Sequence, residues 1–225
     1  MDSRKRTARL AGLLYLIVIV TGIFSLAYVP SQTIVYGDAV ATVERIAGSE
    51  GLFRLGILSN LVCETAFIFL AITLKRLLKP VGEAAASLML TLVVVAVPIA
   101  FLNEVSRVAA LLLSSRADFL AVLLPDQRNA LAMLFVHLYD HGGFIAGILW
   151  GLWLVPFGYL AFRSGFIPRV VGVLLMVAGA CILLESVTFL VAPALHPVVS
   201  DVTTLPSAAG EFAAQAGPFL CCCGF

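Results

Sequence analysis

Repeated apolar runs, each long enough to cross a lipid bilayer, constrain the fold of this chain more than any other feature. Five of them cover residues 10–29, 53–74, 84–113, 130–153 and 170–191. A transmembrane helix needs about 20 predominantly apolar residues, because it rises about 1.5 Å per residue through a hydrocarbon core about 30 Å thick. Only 12% of the residues are charged, which is about half the usual share in a soluble domain. The sequence therefore predicts an all-α, polytopic transmembrane helical bundle that forms a single domain over residues 1–225.

The predicted number of spans is five to six. The sixth segment, over residues 205–220, is short and contains Pro206, Gly217 and Pro218. Cytoplasmic connections of membrane proteins carry an excess of Lys and Arg. The segment before the first run holds four such residues, Arg4, Lys5, Arg6 and Arg9. We therefore predict a cytoplasmic amino terminus and multi-pass insertion in the inner (plasma) membrane.

A secretory signal is the alternative for the amino-terminal segment, because Ser25-Leu26-Ala27 has the small-x-small pattern of a cleavage site after residues 1–27. An apolar run of about 20 residues favours a retained spanning helix over the shorter apolar region of a signal peptide.

Ionisable residues within the apolar runs form the candidate site. Seven of them lie near the midplane or in the half of the membrane away from the cytoplasm: Glu64, Glu104, Arg107, His137, Asp140, His141 and Glu185. Such side chains rarely face lipid, and they pair with one another or line a water-filled cavity. The sequence therefore predicts a polar cavity that opens outward.

Three of these residues also have a spacing that suits a metal ion. His137, Asp140 and His141 stand at i, i+3 and i+4, so they project from roughly one face of a helix. Two imidazoles four residues apart bind zinc in known helices, and a carboxylate is a common further ligand. A zinc ion held here would activate water for hydrolysis of a lipid bond. The chain contains no motif for an organic cofactor.

Three glycines, Gly143, Gly147 and Gly151, form two overlapping G-x-x-x-G steps in the same run. Glycines at this spacing let a second helix approach closely. They predict helix packing within the bundle, with homo-oligomer formation through the same surface as the alternative.

Four sequence motifs of the chain, three of them in its second half, resemble those of a known family. The motifs are GLWLVPFGYL at residues 151–160, RSGFIPR at 163–169 and GVLLM at 172–176, together with ARLAGLLYL at 8–16. They are similar to the signature of the prokaryotic membrane family catalogued as domain of unknown function 4386. The resemblance implies a helical membrane protein of roughly six spans with no established activity. The chain departs from the family pattern after residue 212, where a Cys221–Cys223 run replaces the expected apolar, Trp-bearing helix.

Within the second motif, Gly165 suits a positive φ after one helix, and Pro168 suits the first turn of the next.

Three functional hypotheses follow from these patterns, and they leave open whether the protein is an enzyme. The first is a solute- or proton-handling bundle that uses the polar residues. The second is an intramembrane metal-dependent lipid hydrolase, and the third is a non-catalytic interaction or structural protein. The apolar spans predict the lipid bilayer as the partner in each case. No nucleic acid partner is predicted, because a net charge of +1 gives no electrostatic basis for binding it.

Overall fold

The regular elements of the chain are helices throughout the described residues. The computed structural model describes residues 2–115 and 118–222. In chain order the elements are α1 (Asp2–Ile23), a π-helical segment (Phe24–Tyr28), α2 (Val29–Thr33), α3 (Ala39–Gly48), α4 (Glu50–Leu78), α5 (Glu83–Ser114), a short 3-10 helix (Asp118–Leu120), α6 (Pro125–Arg163), α7 (Arg169–Val191) and α8 (His196–Cys222).

Five helical stretches in the described part of the chain are long and apolar enough to cross a membrane. They are Lys5–Thr33, Glu50–Leu78, Glu83–Ser114, Pro125–Arg163 and Arg169–Val191. Each of them contains one of the five predicted apolar runs, and the prediction of an all-α transmembrane protein is confirmed.

The predicted sixth segment is helical as well, but it belongs to a longer helix. Helix α8 begins at His196, nine residues before the predicted start at residue 205. Pro197 stands in its first turn, where backbone N–H groups have no partner within the helix, so the N–H that proline lacks is not needed. It is not among the stretches that meet the length and hydropathy of a membrane span. Of the Cys221–Cys223 run, Cys223 lies outside the described residues.

The first span is not a uniform α-helix. Between α1 and α2 the backbone widens into the π-helical segment, and the N–H of Val29 donates to the carbonyl of Phe24, five residues earlier. Ser25, within this segment, is fully buried. Short π-helical segments inside α-helices are frequent at functional sites, because the extra residue per turn redirects side chains.

The turn between α6 and α7 has the geometry that its sequence predicts. Gly165 has a φ of +73°, and the Ser164 hydroxyl accepts a hydrogen bond from the Ile167 N–H at 3.1 Å. Helix α7 then begins at Arg169, directly after Pro168. A glycine at the end of α6 thus provides the left-handed backbone that reverses the chain.

Contacts between Cα atoms divide the chain into two compact units. One, which we name the Arg107 unit, comprises Val18–Glu64 and Ile99–Gly143. The other, which we name the α7 unit, comprises Met1–Ile17, Thr65–Pro98 and Phe144–Phe225. A single domain over residues 1–225 stays a prediction.

Helix α3 closes one side of the core of the Arg107 unit. The Asp38 carboxylate caps its start by accepting a hydrogen bond from the Ala41 N–H at 2.9 Å. Ile46 points inward from α3 and belongs to an apolar cluster with Val29, Phe53 and Leu111. One member of this cluster, Phe53, also contacts the Arg107 side chain.

The α7 unit is held by close contact between the backbones of α6 and α7. A Cβ atom on Gly151 would lie 2.8 Å from the carbonyl oxygen of Gly179, and one on Gly158 would lie 2.7 Å from the carbonyl oxygen of Gly172. These positions therefore accept glycine alone at this helix separation. Small residues serve the same purpose in other membrane helix pairs.

Candidate functional site: a buried glutamate and arginine cluster

The densest buried polar cluster lies in the Arg107 unit. It consists of Ser25 from the π-helical segment, Asn60 and Glu64 from α4, Glu104 and Arg107 from α5, and Tyr139 from α6. Relative exposure is 9% for Glu64, 3% for Glu104 and 4% for Arg107. Spacings of i, i+4 on α4 and i, i+3 on α5 place each pair on one face of its helix.

A hydrogen-bond network centres on one carboxylate oxygen. The Asn60 side-chain amide donates to Glu104 Oε1 at 2.6 Å, and the Tyr139 hydroxyl is hydrogen-bonded to the same carboxyl group. Arg107 Nη1 lies 3.5 Å from Glu104 Oε1 and donates to the Ser25 hydroxyl at 3.0 Å. The network thus joins the first span, α4, α5 and α6.

Two aromatic rings fix the position of the arginine. The Arg107 Cζ atom lies 5.2 Å from the centre of the Phe53 ring and 5.2 Å from the centre of the Tyr139 ring. Both distances fall within the range of favourable cation–π contacts, which strengthen when water is excluded. The guanidinium group is therefore held as a fixed positive charge beside Glu104.

Three polar atoms of the cluster have no hydrogen-bond partner among the described residues. They are Glu64 Oε2, Glu104 Oε2 and Arg107 Nη2. Glu64 and Glu104 lie close enough to interact electrostatically. Among the described residues the cluster thus holds two buried carboxyl groups and one guanidinium, which lies beside Glu104. Because an uncompensated ionised group in a low-dielectric interior costs several kcal/mol, the arrangement favours uptake of one further positive charge, which a proton supplies most simply.

The charged members of the cluster, Glu64, Glu104 and Arg107, are predicted from the sequence, but its neutral members are not. Ser25, Asn60 and Tyr139 are uncharged residue types that occur throughout membrane helices. The one available signal was the i, i+4 spacing of Asn60 and Glu64, which places the amide and the carboxylate on the same helix face.

The three residues of the proposed metal motif lie in the same unit, on α6. His137 and His141 are exposed, and Asp140 is half-buried. The His141 Nδ1 atom lies 2.7 Å from the carbonyl oxygen of His137. The described part of the chain contains no group of three or more His, Cys, Asp or Glu side chains arranged to hold a metal ion. Zinc binding at His137, Asp140 and His141 stays a prediction.

A loop residue contacts this part of α6. Tyr36 lies in the turn between α2 and α3, its hydroxyl is hydrogen-bonded to Asp140, and its ring centre is 6.3 Å from that of His137. Burial, and then the negative charge of Asp140, raise the pKa of the Tyr36 hydroxyl above its ordinary value. Tyr36 is therefore a neutral hydrogen-bond donor to Asp140 near neutral pH.

Glu185, the remaining predicted site residue, lies in the α7 unit. Its Oε1 atom accepts a hydrogen bond from the Ser200 hydroxyl at 3.2 Å and is 3.8 Å from His196 Nε2. The His196 ring packs edge-on against Phe144 and Phe189, with ring centres 5.2 and 4.9 Å away. These contacts connect α7 with the start of α8.

The three predicted packing glycines have different surroundings. A Cβ on Gly147 would lie 2.5 Å from the Ser186 hydroxyl oxygen, and Gly151 contacts α7 as described above. Gly143 is exposed, with no side chain or neighbouring backbone of the described residues within 4 Å of its Cβ position. An oligomer contact through Gly143 stays a prediction.

These observations define a class, a polytopic helical membrane protein with a buried charged cluster. The chain belongs to the family described as Domain of unknown function (DUF4386), whose model matches residues 10–215. This match confirms the resemblance found in the sequence motifs. Comparison with curated proteins and with solved structures gave no match.

Proposed function

We propose that this protein handles protons, or a solute coupled to protons, in a membrane, and that the Glu64 and Glu104 carboxyl groups share one exchangeable proton. The observation that carries the proposal is an excess of buried carboxyl groups over cations in the cluster: among the described residues Glu64 and Glu104 are both buried there, and Arg107 is the one cation, paired with Glu104. Intramembrane carboxylates of this kind form the proton relays of pumps and transporters.

Each member of the cluster has a role in this proposal. Arg107 lies 3.5 Å from Glu104 Oε1 and partly neutralises that carboxylate. The Asn60 amide and the Tyr139 hydroxyl orient the same carboxyl group by hydrogen bonds. The buried Oε2 atom of Glu64 has no hydrogen-bond partner among the described residues, and no cation is paired with this carboxyl group there. Glu64 is thus the group whose charge is least compensated and whose protonation relieves the most unfavourable burial.

The experiment is proton flux into proteoliposomes that contain a pH-sensitive dye. We expect the wild type to show a pH-dependent flux that Glu64→Gln abolishes, because an amide cannot release a proton. The matched control is Glu50→Gln on the same helix, since Glu50 is exposed and paired with Arg54 at the surface. That variant should retain wild-type flux.

Thermal stability separates this proposal from a purely structural role. A glutamine resembles a protonated glutamate, so Glu64→Gln should unfold at the same temperature as the wild type or higher. A wild type that passes no more protons than empty liposomes contradicts the proposal, as does a Glu64→Gln variant with unchanged flux.

A second candidate function is non-catalytic, and the network itself favours it. Arg107 joins Ser25 of the first span to Glu104 of α5, and Glu104 is joined in turn to Asn60 of α4. Hydrogen bonds of this kind between helices fix the register of one helix against another. If no flux is found and Glu104→Gln lowers the unfolding temperature, the structural function is the better account.

A further inference from the structure

A glycine of α4 stands directly against the arginine of the cluster. If Gly56 carried a Cβ atom, that atom would lie 2.7 Å from Arg107 Nη2 and 2.9 and 3.0 Å from the two methyl groups of Val29. Carbon atoms in proteins do not approach one another or a nitrogen that closely, because repulsion rises steeply below van der Waals contact. The guanidinium group therefore occupies space that any other side chain at position 56 would fill.

We propose that Gly56 is a positioning residue of the cluster: it allows the Arg107 guanidinium to lie against the α4 backbone and so keeps the compensating charge beside Glu104. The expected effect on proton flux rests on the proton-handling role proposed above. The packing of residue 56 against residue 107 is independent of that role.

The neighbours of Gly56 have little freedom to make room for a methyl group. The Arg107 side chain is flexible in isolation, but here the Phe53 and Tyr139 rings contact its guanidinium and Ser25 accepts a hydrogen bond from Nη1. Val29 is fully buried, and its β-branched side chain has a strongly preferred rotamer in a helix. An added methyl group is therefore accommodated only if the guanidinium is displaced and the Val29 methyl groups also shift.

Displacement of the guanidinium changes the charge of the site. Glu104 then loses the positive charge that lies 3.5 Å from its Oε1 atom, and a carboxylate without a neighbouring cation holds its proton more strongly. Gly56→Ala should therefore move the pH profile of proton flux to higher pH, by about one unit, which corresponds to about a tenfold change in proton affinity.

The test uses Gly56→Ala with Gly51→Ala as its matched control. Gly51 lies on the same helix, is exposed, and has no side chain or neighbouring backbone of the described residues within 4 Å of its Cβ position. Both substitutions replace glycine by alanine in α4, so a shift of the pH profile found in Gly56→Ala alone comes from the contacts at position 56. Gly51→Ala should have the flux profile of the wild type.

Arg107→Lys supplies the rescue. Lysine keeps the charge but has no second terminal nitrogen, so it removes the closest of the contacts that the methyl group would make, the one with Arg107 Nη2. Combined with Gly56→Ala, it should return the flux profile toward that of the Arg107→Lys single variant. A double-mutant cycle measures the coupling between positions 56 and 107. It compares the stabilities of the wild type, Gly56→Ala, Arg107→Lys and the double variant.

The two readouts distinguish the inference from the proposed function. If the wild type shows no pH-dependent flux, the proposed function fails and the stability cycle alone decides: coupling supports the positioning role, and additivity overturns it. If flux is present but Gly56→Ala and Gly51→Ala share one pH profile, the inference is overturned while the proposed function stands.

Discussion

Removal of the arginine from the cluster is the perturbation that tests the energetics of the site most directly. Arg107→Ala deletes the only cation in contact with Glu104 among the described residues, and with it the hydrogen bond to Ser25 and the contacts with two aromatic rings. The side chains of the pair are 5% and 4% exposed. Solvent therefore cannot replace the lost partner.

The expected loss follows from this burial. Removing one partner of a buried ion pair typically destabilises a protein by about 3–5 kcal/mol, because the other charge stays buried without compensation. Exposed pairs contribute about 0–1 kcal/mol. The Arg54–Glu50 pair provides that comparison, since its side chains are 62% and 47% exposed. Arg107→Ala should therefore lower the free energy of unfolding by about 3–5 kcal/mol, and Arg54→Ala by less than about 1 kcal/mol.

The assay is unfolding of the purified protein in mixed micelles by increasing amounts of a denaturing detergent, followed by helical circular dichroism. A second variant identifies the cause of the loss: Arg107→Ala combined with Glu104→Gln should be more stable than Arg107→Ala alone, because the uncompensated carboxylate is gone. Equal losses of unfolding free energy in Arg107→Ala and Arg54→Ala would contradict a buried ion pair, as would a further loss of stability on adding Glu104→Gln.

Three further predictions concern other parts of the molecule. The hydrolase hypothesis needs about one equivalent of zinc in the purified wild type, lost in His137→Ala, and a metal-free wild type would contradict it. Gly151→Ala should cost about 1–3 kcal/mol of unfolding free energy because its methyl group meets a backbone carbonyl of α7, whereas Gly143→Ala in the same helix should be neutral or slightly stabilising. The raised pKa of Tyr36 means that the folded state holds the hydroxyl proton more tightly than the unfolded chain, so its contribution to stability is present below about pH 10 and lost above it. As the pH is raised through about 10, the melting temperature should therefore fall less in Tyr36→Phe than in the wild type.

Much of the fold follows from the sequence because the bilayer imposes a length and a composition on each span. The five apolar runs are each contained in one helix that meets those requirements. Helix α8 was harder to predict, since His196 and Pro197 resemble the end of α7 as much as the start of a new helix. Proline ends one helix and begins the next with the same ring geometry, so its position alone does not fix a boundary.

The candidate site was only partly predictable, because sequence gives the depth of a residue along its helix but not the neighbour it meets. Depth grouped Glu64, Glu104 and Arg107, which the structure places in the Arg107 unit. It also grouped Glu185 with them, and the structure places that carboxylate in the α7 unit, where it accepts a hydrogen bond from Ser200. Contacts depend on helix rotation, and helices that are apolar on every side show no periodicity from which rotation can be read.

The π-helical segment makes the first span sensitive to a one-residue change in length. Its extra residue lets the backbone before Phe24 and after Tyr28 keep their own packing while Ser25 reaches Arg107. Deletion of one residue here would restore a regular α-helix and leave the two flanks in register, because the wide turn had absorbed the extra residue. The remaining residues of the segment would then point in other directions, and the Ser25 hydroxyl would lose its place beside Arg107. Chain length in this segment is therefore as much a determinant of the charged cluster as the identity of its residues.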